Sequence, residues 1–289
     1  MTQSTIHDNR ICELGEGALW HPMRRQLFWF DILGCKLLTL NVDEPREWRF
    51  PEMVSAAAWV AIDVLLIAGE RDLFLFQLDT EEILPLCELE ADIPTNRSND
   101  GRADRQGGFW IGTMAKDGTN RKGKGAIYRF YKGEKRKLFP DISIPNAICF
   151  APDGKLAYFA DTMAQTVWKV ALDADGWPMG EREIFLNFQG TDIHPDGATV
   201  DSEGNFWNAQ WGSSRVACYA PTGEFLMEVK FDAPHTSCPA FGGDFLSQLF
   251  CTTALEEMTP EARAAFPNAG KVFVADRVGK GLPEPRFQA

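Results

Sequence analysis

Three oxygen-bearing side chains stand at the heads of apolar, strand-like runs in this chain. They are Glu16 in Gly15-Glu16-Gly17-Ala18-Leu19-Trp20, Asn146 in Pro145-Asn146-Ala147-Ile148-Cys149-Phe150, and Asp196 in Pro195-Asp196-Gly197-Ala198-Thr199-Val200. A fourth head, Asn99-Asp100-Gly101-Arg102-Ala103, belongs to the same series. The last three heads follow one another at intervals near the ~45 residues of one propeller blade. Equivalent strand starts around one axis crowd their side chains toward one mouth of the central channel. Carboxylates gathered there repel one another and resist ionisation. A divalent cation removes that conflict, and two carboxylates plus an amide oxygen are hard ligands suited to Ca²⁺, Mg²⁺ or Mn²⁺, with Zn²⁺ also admissible. Taken singly, each residue is better read as a turn cap. Recurrence at one repeat position favours the metal.

A second polar group comprises Arg97, Asn99, Asp100 and Asp117. The guanidinium of Arg97 offers a rigid fork of donors for hydroxyl or carboxylate oxygens. A salt-bridged loop is the simpler reading of the same residues. Between Gly112 and Gly125 lies an inserted polar segment that could lid the channel, since functional residues often ride on such loops. Its Arg121, Lys122 and Lys124 could attract a phosphate, although a solvated basic loop is the favoured reading. Asp31 and Asp161 occupy matching positions after second strands and are expected to hold turns. His194 is expected near the mouth as a turn residue. No nucleophile elbow, phosphate-binding loop, dinucleotide fingerprint or HExxH helix occurs, so covalent serine or cysteine catalysis has no support.

The elements that must position these groups are short. Apolar runs such as Gln26-Leu27-Phe28-Trp29-Phe30, Phe109-Trp110-Ile111 and Leu156-Ala157-Tyr158-Phe159-Ala160 are separated by close-set turn residues, an all-β signature. Six copies of a strand-turn-strand grammar begin near Glu16, Ser55, Asn99, Asn146, Asp196 and Ser237. The second is least regular, because Val60 to Ile67 lacks the expected Gly turn. The pattern predicts an all-β, six-bladed β-propeller of four-stranded blades around a central metal-containing channel, forming a single domain over residues 1–289. Residues around Ser4 to Cys12 are expected to supply the outer strand of the last blade. One short helix is expected at Pro260-Phe266, with Thr259 as N-cap and Pro260 at N1.

Composition narrows the function classes. The formal charge of −12 argues against nucleic acid or an anionic membrane as partner. No run of ~18 apolar residues is present to span a bilayer. The N-terminus lacks a basic region followed by an apolar core, so a cytoplasmic protein is expected. The seven cysteines are odd in number and form no CxxC pair, which favours reduced thiols packed as small hydrophobes.

Taken together, these residues resemble the gluconolactonase, regucalcin (senescence marker protein) and luciferin-regenerating enzyme family. The likeness spans nearly the whole chain, from Leu14-Gly15-Glu16-Gly17 through Asn96-Arg97-Ser98-Asn99-Asp100-Gly101, Pro145-Asn146 and Pro195-Asp196-Gly197 to Phe266-Pro267-Asn268-Ala269-Gly270. The resemblance implies one divalent metal ion held by Glu16, Asn146 and Asp196, with Ca, Zn, Mn and Mg all open. It implies substrate contacts from Arg97 and Asn99, and from Asp117 where some relatives carry Glu. It also implies Asp196 as general base. The expected activity is hydrolysis of an aldonolactone, such as a glucono- or pentonolactone, to the sugar acid. A broader metal-dependent esterase or organophosphatase, and a non-catalytic calcium-binding propeller, are the alternatives. Oligomeric state is left open by the sequence.

Overall fold

A computed structural model of the protein describes residues 4–42 and 44–288. Strand β1 (Ser4–Asp8) precedes five four-strand repeats and a sixth of three strands. Blade one contains β2 (Gly15–His21), β3 (Gln26–Asp31), β4 (Lys36–Asn41) and β5 (Glu44–Arg49). Blade two contains β6 (Val54–Ala61), β7 (Val64–Gly69), β8 (Asp72–Gln77) and β9 (Ile83–Glu88). Blade three contains β10 (Asn96–Ala103), β11 (Phe109–Ala115), β12 (Gly125–Tyr131) and β13 (Glu134–Ile142). Blade four contains β14 (Pro145–Phe150), β15 (Leu156–Asp161), β16 (Thr166–Leu172) and β17 (Pro178–Asn187). Blade five contains β18 (His194–Val200), β19 (Phe206–Trp211), β20 (Arg215–Tyr219) and β21 (Phe225–Lys230). Blade six contains β22 (Thr236–Gly242), β23 (Gln248–Thr253) and β24 (Val272–Asp276).

Each blade is a four-stranded antiparallel sheet, and β1 completes blade six by pairing with β24, Ser4 opposite Ala275. The expected closure therefore holds: a strand from the chain start covers the edge that the last blade would otherwise expose. Each inner strand packs against the inner strands of its two neighbours, from β2 around to β22 and back. This is the expected six-bladed propeller.

Alternation along a strand explains the apolar runs. Phe28 and Phe30 point toward blade two, against Leu65 and Ile67. Leu27 and Trp29 point the other way, against Phe250 and Val272 of blade six. A strand buried on both faces has no polar side to show, so its period of two vanishes from the sequence. The outer strand β5 is mostly exposed, whereas β2 and β3 are buried throughout. The core is thus a ring of apolar slabs, one at each blade interface. All seven cysteines are free, and Cys149, Cys218 and Cys251 lie within these slabs.

Two local expectations are met. Thr259 Oγ1 accepts from the Ala262 amide at 3.2 Å to cap helix α1 (Pro260–Ala265). Asp161 accepts from the amides of Ser143, Ile144 and Met163, and Asp31 from those of Leu14 and Gly34, so both hold turns. Blade two does without its glycine because Ala61 and Val64 pair directly across a two-residue turn. Among the described residues no helix is long and apolar enough to cross a membrane.

Candidate active site

All six inner strands carry a β-bulge near their first residues. Register breaks between Glu16 and Leu19, Val54 and Ala56, Ser98 and Gly101, Asn146 and Cys149, Pro195 and Ala198, and Thr236 and Pro239. A bulge bends its strand and re-aims a side chain, here toward the channel mouth. Two kinds occur. In blades one and four the residue after the anchor is left-handed, Gly17 at φ 59° and Ala147 at φ 57°. In blades three and five the anchors Asn99 and Asp196 sit inside the bulge itself.

These bulges bring Glu16, Arg97, Asn99, Asn146 and Asp196 to the wall of one cavity of about 390 Å³. All five are buried. Asn99 connects the two polar groups seen in sequence. Its Oδ1 accepts from Arg97 Nη1 at 2.8 Å, and its Nδ2 donates to Asn146 Oδ1 at 3.1 Å and to the Pro145 carbonyl at 2.9 Å. Thr162, which the sequence did not single out, fixes the next amide. Its hydroxyl donates to the Pro195 carbonyl at 2.6 Å, so its oxygen is left to accept from Asn146 Nδ2 at 2.8 Å. Asn146 must then turn Oδ1 away from Thr162, toward Asn99.

The carboxylates are poorly compensated. Among the described residues Glu16 accepts only from the amide of Gly17, at 3.1 Å, and Asp196 Oδ1 is buried without any partner. Burial, followed by the charge of Asp100, pushes the Glu16 carboxyl up to about 8. Burial, then Glu16 and Asp100, pushes Asp196 well above the usual carboxylate range. Burial also lifts Asp100 to about 6, although the Ile148 amide donates to it at 2.7 Å. A buried acceptor left orphaned beside a second unneutralised carboxyl is the environment a divalent cation satisfies. Among the described residues no three Asp, Glu, His or Cys side chains converge on one point. Glu16, Asp196 and the amide oxygen of Asn146 share this cavity wall, and such a donor set fits a hard ion.

The structure places Asp117 elsewhere. It is exposed, lies outside the cavity wall, and spends Oδ1 on the amide and hydroxyl of Thr119 at 2.9 and 2.8 Å. Thr113 to Ala115 continue β11, so the inserted loop spans 116–124 around a 3₁₀ turn, Gly118–Asn120. Arg121 of this loop is not a solvated cation. It lines the cavity with its side chain 13% exposed, facing Glu256 and Glu257 of the segment between β23 and α1. His194 sits at the rim, as expected, but as the first residue of β18, paired with Trp211, rather than in a turn. Trp211 also lines the wall and stacks on His235, ring centroids 4.2 Å apart at 14°. Arg121 was marked in sequence only as a basic residue of the inserted loop, and Thr162, Trp211 and Glu256 carried no signal beyond their polarity or size.

A profile of the SMP-30/gluconolactonase/LRE-like region matches residues 14–255, from the residue preceding the first bulged strand to the loop that bears Glu256. The chain belongs to this family. Its relatives include a Rhizobium meliloti (strain 1021) protein provisionally named a sugar lactone lactonase, 38% identical over 96% of this chain and 94% of that one. An L-arabinolactonase from Azospirillum brasilense is 33% identical over 99% of this chain and 95% of its own length. Among solved structures, a calcium-binding protein, regucalcin, from Agrobacterium tumefaciens superposes with a TM-score of 0.96 at 38% identity, covering 100% of this chain and 98% of that one. The family member described here shares its whole ring with that protein, so the likeness is not confined to the site.

Proposed function

We propose that the chain, acting as one domain over residues 1–289, is a lactonase that opens an aldonolactone to the sugar acid. The observation that carries this reading is the pairing of the orphaned Asp196 Oδ1 with an Arg97–Asn99–Asn146 hydrogen-bond chain on the wall of one sugar-sized cavity. The names of the two lactonase relatives support it. Glu16, Asn146 and Asp196 would hold one divalent cation, which when bound polarises an ester carbonyl as a Lewis acid.

The chain's own groups supply the rest. Among the described residues Arg97 spends only Nη1 on protein acceptors, Ser98 O and Asn99 Oδ1, so its remaining donors are available to ring or hydroxyl oxygens of the sugar. Asn99 holds that guanidinium and the Asn146 amide in fixed register, which orients the lactone. The Asp196 carboxylate takes a proton from the attacking water as the oxygen–carbon bond forms. It returns the proton to the ring oxygen as the acyl–oxygen bond breaks, so the acid–base cycle closes. Burial favours this role by raising the proton affinity of the carboxylate.

A pH-indicator assay over five- and six-carbon aldonolactones, with and without chelator, tests the reading. Chelator-sensitive hydrolysis is expected, and Asp196→Ala should lower kcat by roughly 10²-fold or more. Cation binding without catalysis is the second reading, favoured by the regucalcin likeness. Spontaneous rates alone, with every cation tried, would establish it in place of the lactonase.

A further inference from the structure

One polar cluster on the cavity wall takes no part in the steps above. Arg121 reaches in from the inserted loop, and its Nε is buried with no hydrogen-bond partner. Its Nη2 stands 3.8 Å from Glu256 Oε1 and its Nη1 3.7 Å from Glu257 Oε1. Both separations exceed a hydrogen bond, so the charges face one another across a gap. Glu256 is half-buried, with its carboxyl raised by burial and held down in part by Arg97 and Arg121. A buried donor beside acceptors left this far apart is completed by a group that can both accept and donate.

A sugar hydroxyl is such a group: its oxygen accepts from the guanidinium while its proton goes to the carboxylate. A phosphate, sulfonate or second carboxylate is not. It could accept from Arg121, but two carboxylates already stand within 4 Å of that one guanidinium. With its charge already offset by Glu256 and Glu257, that guanidinium holds little attraction for a further anion. Trp211, stacked on His235, gives the same cavity a rigid apolar surface suited to the C–H face of a ring.

We propose that Arg121 and Glu256 form a hydroxyl-reading pair that selects uncharged polyhydroxy lactones over lactones bearing a second anionic group, with Trp211 as the platform for the ring. This rests on the lactonase reading and adds two specificity-determining residues to it. The pair acts in ground-state recognition, so its loss falls on KM more than on kcat.

The test compares kcat/KM for gluconolactone and for its 6-phosphate in the wild type, Glu256→Gln and Glu257→Gln. The wild type should prefer the uncharged lactone. Glu256→Gln keeps the shape and removes the charge, so the preference should fall by about tenfold or more, chiefly through KM. Glu257→Gln, at a position 62% exposed, should move it the same way by less, and it carries the test if the first variant melts early. A wild type that prefers the phosphorylated lactone, or variants with an unchanged ratio, would overturn the inference while leaving the lactonase intact. Absence of any lactone hydrolysis in the wild type would instead remove the lactonase reading itself.

Discussion

At the scale of single residues, the site is a balance of charge that the protein leaves unfinished. Glu16 and Asp196 are buried among few donors, and Asp100 adds a third acid nearby. Such an arrangement costs stability until a cation arrives. The chelated protein should therefore melt at a higher temperature when a divalent cation is added, with a gain of roughly 2.7 kcal/mol once the ion reaches about 100 times its Kd. Glu16→Gln and Asp196→Asn should abolish that gain, and each should melt at or above the chelated wild type because a repulsive charge is gone. Calorimetry with and without chelator checks both halves; variants that keep the full gain would clear these residues of a ligand role. Sequence exposed Glu16, Asn146 and Asp196 because each heads a repeat. It also marked Asp117, which the structure turns outward onto Thr119. Spacing gives a residue's place in a loop, whereas its direction is set by which acceptors and donors lie beside it.

At the scale of elements, the bulges decide whether an anchor reaches the channel. Gly17 is the sharpest case. Its φ is 59°, and a Cβ there would lie 2.3 Å from Ser55 O and 2.7 Å from Phe30 Cδ2. Ala147 occupies the equivalent left-handed position in blade four, so the dihedral alone is tolerated; the approach of the Ser55 carbonyl is what demands glycine. Gly17→Ala should therefore destabilise the protein by at least ~1–2 kcal/mol and displace Glu16. A chemical-denaturation curve and the cation response measure the two effects, while Ala147→Gly should leave the cation response in place. The six strand heads were legible from the turn and apolar pattern. The bulges were not, because an extra residue in one strand shows only against its partner. The loop over the cavity was likewise legible as an insertion, but the inward turn of Arg121 depends on Glu256 and Glu257, which come from blade six.

At the scale of the whole molecule, the ring is tied at both ends. Strand β1 closes blade six, and residues 277–288 cross the far end of the channel. There the Ser202 amide donates to Lys280 O, the Gln288 amide to Gly107 O, and Trp59 Nε1 to Glu284 O at 2.8 Å. Glu284 enters an ion pair with Arg102, both nearly fully buried, and Arg102 also donates toward the carbonyls of Ala198 and Pro239 on two other inner strands. Removing one member of a buried pair leaves an uncompensated charge. Glu284→Ala should thus cost about 3–5 kcal/mol in a denaturant titration, and a loss below ~1 kcal/mol would show that the tail does not brace the ring. By itself the sequence determined the all-β repeat, the six blades, the closing strand and the heads that carry metal-type oxygens. These rest on alternation, turn chemistry and spacing, which act over a few residues or one repeat. Only the tertiary structure decided the orientation of Asn146 by Thr162, the outward turn of Asp117, the Arg121–Glu256 gap and the Arg102–Glu284 brace. Apart from the local Asp117–Thr119 turn, each of these joins side chains from separate blades or segments, and such convergence is fixed by the closed ring rather than by any stretch of chain.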